Sequence, residues 1–198
     1  MLNRSVLALL FLLASALPAA AGPFEDGLAA YRRSDYAAAL QYWRPLAEQG
    51  NASAQLNLGF MYANGRGVPQ DSSQAVAWYR RAAEQGNASA QVNLGFMYDA
   101  GQGVPQDYGQ AVAWYRRAAE QGNALAQNNL GRMYGEGQGV PQDAVHAHMW
   151  FNLAASRESN PERRSTMAKN RDNLAARMTR EQIAEAQRRA RDWKPKPE

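Results

Sequence analysis

The chain has 198 residues, 22 Lys and Arg against 18 Asp and Glu, and no cysteine. The missing thiols exclude disulfides, cysteine lipidation, Cys-type zinc sites and thiol catalysis together, so packing alone must hold the fold. Charge is uneven, with twelve basic and seven acidic residues in 157–198 against nine and eleven in 22–156; both signs alternate along helical sequence, the pattern of a solvated helix face rather than a nucleic-acid surface.

Residues 1–21 read as a cleaved signal peptide. Arg4 gives a basic start, Val6 to Leu17 an apolar run, and Ala19-Ala20-Ala21 the small residues before a cut after Ala21. The expected localisation is periplasmic or secreted. No second long apolar run follows, so no stable membrane insertion is expected after cleavage. Residues 22–53 read as an opening helix pair, one helix over 24–33 and another over 36–49.

From Ala54 the chain repeats with a period of 36 residues, the spacing of Ala54, Ala90 and Ala126, of Pro69, Pro105 and Pro141, and of Trp78, Trp114 and Trp150. Units 54–89 and 90–125 agree at roughly four positions in five, and 126–157 is a degenerate last unit. This period signals stacked helix pairs. In the first unit, helix A runs from Ala52 to Ala63 with Ala54, Leu58, Met61 and Tyr62 on its buried stripe. Gly59 beside that stripe implies close approach of a neighbouring helix. Gly65 and Gly67 end the helix with positive φ, Pro69 blocks continuation, and Asp71 with Gln74 caps helix B. Helix B, from Ser72 to Gln85, buries Ala75, Trp78, Tyr79, Ala82 and Ala83 and turns Arg80, Arg81 and Glu84 to solvent. Two amphipathic capping helices fill 158–193, anchored by Leu174, Met178, Ile183 and Trp193. Residues 194–198 form a disordered tail.

The pattern NLGFMY, GxGVPQD, AVAWYRRAAEQGNA resembles the Sel-one-like repeat (SLR) family, relatives of the tetratricopeptide repeat, over nearly all of 24–156. The ending ARMTREQIAEAQRRARDW is similar to that of many exported bacterial members. The resemblance implies an all-α fold, a right-handed α-solenoid of antiparallel helix pairs, and binding of a protein or peptide on its concave face. On that face it places Asn57, Phe60, Asn93, Phe96, Asn129 and Arg132, asparagines for a peptide backbone and phenylalanines for apolar contact. A monomeric adaptor is the expected form. Cysteine-rich relatives are linked to β-lactam binding or weak hydrolysis; this chain lacks their cysteines and any Ser-x-x-Lys, the nearest spacing being Thr166 to Lys169. A cell-envelope structural factor is the third reading.

Nothing assembles a nucleophile, a base and an orienting group, so no enzyme, catalytic residue or cofactor is expected. The only histidines, His146 and His148, point to different sides of a helix and cannot share a metal. They stand where the earlier unit has Gln74 and Val76.

Overall fold

The structure, a computed structural model, describes residues 22–196. Among them lie ten helices and no strand: α1 Pro23–Arg32, α2 Tyr36–Glu48, α3 Ala52–Asn64, α4 Ser72–Glu84, α5 Ala88–Ala100, α6 Tyr108–Glu120, α7 Ala124–Glu136, α8 Ala144–Arg157, α9 Pro161–Ala175 and α10 Arg180–Asp192. The expected signal segment lies outside the described residues. Boundaries recur because their caps recur. Asn51, Asn87 and Asn123 accept the N–H of Ala54, Ala90 and Ala126 at 2.9, 2.9 and 3.1 Å. Asp71, Asp107 and Asp143 accept those of Gln74, Gln110 and His146 at 3.0, 2.9 and 2.9 Å. Each such cap contributes about 1 kcal/mol.

Every second helix is buried between its own pair and the next. The stripe of α3 (Ala54, Leu58, Met61) closes against Ala39, Trp43 and Ala47 of α2, and that of α5 (Ala90, Leu94, Met97) against Ala75, Tyr79 and Ala83 of α4. Tyr62 is only half-buried, because its hydroxyl reaches back to Arg44 at 3.4 Å. The same link recurs as Arg80 to Tyr98 at 2.8 Å and Arg116 to Tyr134 at 3.0 Å. Arg80, expected in solvent, is thus a strut between units. On α4 the buried arc includes Val76, while Trp78 and Trp114 sit half-buried at its edge under Arg81 and Arg117, 4.5 and 4.9 Å from the ring centroids. A helix pressed by two neighbours buries a wider arc than one stripe.

The mid-helix glycines meet an aromatic ring. A Cβ on Gly59 would lie 2.5 Å from Tyr79, on Gly95 2.7 Å from Tyr115 and on Gly131 2.8 Å from Phe151. The ring comes from helix B of the same unit, so the glycine lets the two helices of a pair approach closely. In the opening unit Gly27 meets Trp43 in the same way.

A ladder of buried amides crosses the units. Gln55, Gln91 and Gln127 donate to the carbonyls of Ala47, Ala83 and Ala119 at 2.9, 3.1 and 3.1 Å. Gln85 and Gln121 donate to the Oε1 of Gln55 and Gln91 at 2.7 and 3.0 Å. The series stops at Gln127, whose Oε1 has no partner, because the position of Gln85 and Gln121 is taken in the last unit by Arg157. Arg157 lies instead over Trp193, 4.4 Å from its ring centroid.

The capping helices both pack on α8 rather than on each other. Their deepest side chains are Met167, Ala186 and Ala190; the expected anchors Met178 and Trp193 pack at the margin of that core, and Leu174 and Ile183 are half-buried. Small residues lead because α10 lies close enough to α8 for Trp193 to meet Trp150 edge-on at 6.1 Å. Lys196, expected in the loose tail, donates its N–H to the Glu120 carbonyl at 2.8 Å. The turn between α8 and α9 is clasped by Glu158, whose carboxylate accepts from the Asn160 N–H at 2.9 Å and from Arg163 at 3.2 Å.

His148 is a second unsatisfied polar side chain in the core, after Gln127. It is buried, its Nδ1 has no partner, and it occupies the place of Val76 and Val112. Burial, then the nearby Arg171, lowers its pKa below the ordinary 6.5, against a smaller opposing pull from Asp172. The folded state therefore holds the neutral ring, and stability is lost as pH falls below 6.5, where the unfolded chain takes up the proton first. His148→Val is expected to stabilise by about 1 kcal/mol at pH 7.5, since an unsatisfied buried polar group is removed. The gain should widen at pH 5. Thermal melts at the two pH values check this; an equal or smaller gain at pH 5 counts against it.

Candidate functional site

The odd-numbered helices form one row, and the sequence-predicted residues lie along it: Asn57 and Phe60 on α3, Asn93 and Phe96 on α5, Asn129 and Arg132 on α7. Phe60 and Phe96 are 39% and 49% exposed, and Leu125 at the start of α7 is 40% exposed. Three of the four large hydrophobic side chains exposed among the described residues thus stand on this row, Tyr42 being the other.

Clefts open between successive members of the row. Leu28, Tyr31, Trp43, Asn57, Phe60 and Arg66 line one of about 380 Å³ between α1 and α3. Phe60, Asn64, Asn93, Phe96 and Gln102 help line a second, of about 220 Å³, between α3 and α5. A third, of about 260 Å³ between α7 and α9, includes Asn128, Arg132, Asn170, Asn173 and Arg177. Asn57 and Phe60 therefore share the first cleft, and Phe60, Asn93 and Phe96 the second. Asn129 lines none of the three; it stands beside the Tyr115 hydroxyl.

Arg132 is held from within. It pairs with Asp99 of the preceding unit, with Glu136 at 3.1 Å, and donates to Gln138 at 2.7 Å. The Tyr115 hydroxyl reaches Asp99 at 3.3 Å, and burial, then Asp99, pushes that phenol's pKa far up, so it stays protonated. One place in the row carries successively different pairs: Tyr31 with Phe60, Ala63 with Phe96, Asp99 with Arg132. The first meet edge-on at 6.4 Å. The row thus runs from aromatic at the α1 end to charged and amide-rich at the α9 end.

Leu28 and Tyr31 escape a reading by period, whereas Trp43 and Arg66 lie on it, 36 residues before Tyr79 and Gln102. The connection between α1 and α2 is three residues against seven between α3 and α4, so Gly27 and Tyr31 precede Gly59 and Ala63 by 32 residues instead of 36. Aligning the aromatic–glycine contacts instead of the period would have found them. The histidines remain apart in role as well as direction: His146 binds Asp143 at 2.7 Å and stacks on Tyr134, while His148 is buried. Among the described residues no three His, Asp or Glu side chains are grouped to hold a metal. Thr166 and Lys169 are exposed on α9, with the Thr166 hydroxyl donating to the Glu162 carbonyl at 3.1 Å. No described helix is long and apolar enough to cross a membrane.

Helix pairs stacked in register, with one ladder of caps, amides and ring-on-glycine contacts, define an α-solenoid repeat protein. The Sel1 repeat family model matches residues 22–51, 52–87, 88–123 and 124–159. The chain belongs to the Sel1 repeat family. The opening pair is therefore a full repeat with a shortened connection. Among solved structures, a Sel1 repeat protein from Oxalobacter formigenes is 30% identical over 85% of this chain and 74% of its own, with a TM-score of 0.66. A protective antigen present in uropathogenic Escherichia coli strains, displaying an SLR fold, is 30% identical over 86% of this chain, with a TM-score of 0.53; the match spans 44% of that protein. No curated protein matches the chain significantly.

Proposed function

We propose that this protein is an exported, non-enzymatic adaptor that binds an extended segment of a protein partner along the odd-helix row. The observation that carries the reading is the exposure of Phe60 and Phe96 one repeat apart, each beside an asparagine of the preceding helical turn. An apolar side chain exposed in register over successive units is a recognition device rather than a folding one, because burying it within the chain would serve stability better. Asn57 and Asn93 offer both a donor and an acceptor to a peptide backbone. Arg132, tied to Asp99, acts as a fixed wall of the third cleft.

The variant Asn93→Ala with Phe96→Ala leaves the inter-unit ladder untouched, and should reduce recovery of partners from an envelope extract at least tenfold, with unchanged circular dichroism. Undiminished recovery counts against the row. Export has its own test. Expressed with its first 21 residues, the protein should accumulate outside the cytoplasm with Gly22 as its N-terminal residue, as read by intact mass. A full-length mass in the cytoplasm refutes export.

A further inference from the structure

The cleft between α1 and α3 differs in kind from its neighbours, and the difference lies in Arg66. Later units have Gln102 and Gln138 at that place. The Arg66 guanidinium sits 5.5, 5.6 and 5.2 Å from the ring centroids of Tyr31, Tyr36 and Phe60 and donates to the Tyr31 hydroxyl. Arg132, Arg163, Arg171, Arg188 and Arg189 each pair with a carboxylate, while Arg44, Arg80 and Arg116 donate to a tyrosine hydroxyl outside any of the clefts described. Among the described residues no carboxylate pairs with Arg66. Three rings fix the cation and strip part of its water, which strengthens its attraction for an incoming anion over that of a free surface arginine. Apart from Asn57 and the Tyr31 hydroxyl, the rest of the cleft is apolar. Trp43 donates its Nε1 to the Phe24 carbonyl at 3.1 Å, leaving the ring without a free donor, and Leu28 stands beside it. At about 380 Å³ the space matches the low end of ligand pockets, ~300–1,000 Å³, room for a side chain and its flanking backbone.

We infer that this cleft takes a peptide carrying an apolar side chain next to a carboxylate, the side chain seated among Leu28, Tyr31, Trp43 and Phe60 and the carboxylate facing Arg66. The inference rests on the adaptor reading above and adds the chemistry of what is bound. Charge complementarity carries it: an anchored cation that no described carboxylate neutralises, at the mouth of a mainly apolar cleft with Asn57 on its wall. The carboxylate could be a chain terminus or an Asp or Glu side chain; the recognising chemistry is shared.

The test is selection from two random dodecapeptide libraries, one displayed with free C-termini and one with the random segment internal, against the purified chain and against Arg66→Gln. Glutamine is what later units carry there, so the fold should persist, as circular dichroism would confirm. The wild type should enrich an aromatic or leucine beside an acid. Enrichment confined to free ends identifies the terminal carboxylate; enrichment in both libraries identifies the side chain. Selected peptides should bind Arg66→Gln about tenfold more weakly, and their amidated or glutamine forms should lose the same factor. Equal affinity for Arg66→Gln, or enrichment of apolar peptides without an acid, overturns the inference. Peptides indifferent to Arg66 but lost on Asn93→Ala with Phe96→Ala would leave the adaptor reading standing alone. No enrichment on either protein would remove both.

Discussion

Gly103→Ala should destabilise the protein by about 2–5 kcal/mol, from left-handed backbone strain of ~1–2 kcal/mol and overpacking of ~1–3 kcal/mol. Gly103 has φ 70°, and a Cβ there would lie 2.3 Å from the Ser72 carbonyl oxygen. Gly139 repeats the situation one unit on, where a Cβ would lie 2.3 Å from the Tyr108 carbonyl oxygen, and a Cβ on Gly67 would lie 2.9 Å from Tyr36. The loop of each unit thus lies backbone-on-backbone against the start of helix B in the preceding one. No side chain can swing aside there. Gly50 supplies the control: its φ is 96° but nothing lies within 4 Å of its would-be Cβ. Gly50→Ala should show only the strain part. Urea unfolding of both variants separates the two contributions, and equal losses would mean that the loops are not pressed together.

The second large effect is expected at Gly59→Leu. Its first carbon already falls 2.5 Å from the Tyr79 ring, so the loss should be at the upper end of the ~1–3 kcal/mol usual for overpacking. Leucine is the better helix former by nearly 1 kcal/mol, so any net loss reports the clash and not the helix. A double-mutant cycle makes the argument specific. Tyr79→Ala alone should cost about 3–5 kcal/mol as a large cavity, but in its presence Gly59→Leu should be nearly harmless. Coupling of ~0.5–3 kcal/mol is the range for residues in contact. Additive losses would place the ring elsewhere.

The fold was legible because each cap, glycine and apolar stripe recurs with the same period, so three weak local signals reinforce one another. Asn87 and Asp107 fall where their spacing puts them. The amide ladder was not legible: a glutamine in the first turn of a helix, such as Gln91, reads as a solvent-facing residue until a carbonyl 8 residues back is seen to accept from it. That α9 and α10 cover the last pair follows from their amphipathic sequences, and both pack on α8. Their deepest side chains were not legible, because Met167, Ala186 and Ala190 go in ahead of the larger anchors according to which surface the last repeat leaves bare. Along the odd-helix row, Phe60 and Phe96 were readable as an exposed periodic pair. Arg132 was not readable as an internal strut, since its partner Asp99 replaces an alanine, Ala63, one unit earlier. The first cleft was hidden by a connection shortened by four residues.

That every unit meets its neighbour through the same contacts is most directly tested by excising one whole unit. Deleting residues 88–123 joins Asn87 to Ala124, so Gln127 should donate to the Ala83 carbonyl, Gly139 should settle on Ser72, and Arg132 should face Ala63. Stability in such arrays is a sum of units and nearest-neighbour interfaces. Far-UV circular dichroism should show the per-residue helical signal of the parent and one cooperative melt at a lower midpoint, while deletion of the half-unit 88–107 should abolish both. If the whole-unit deletion unfolds as the half-unit deletion does, the units do not stack in the register described.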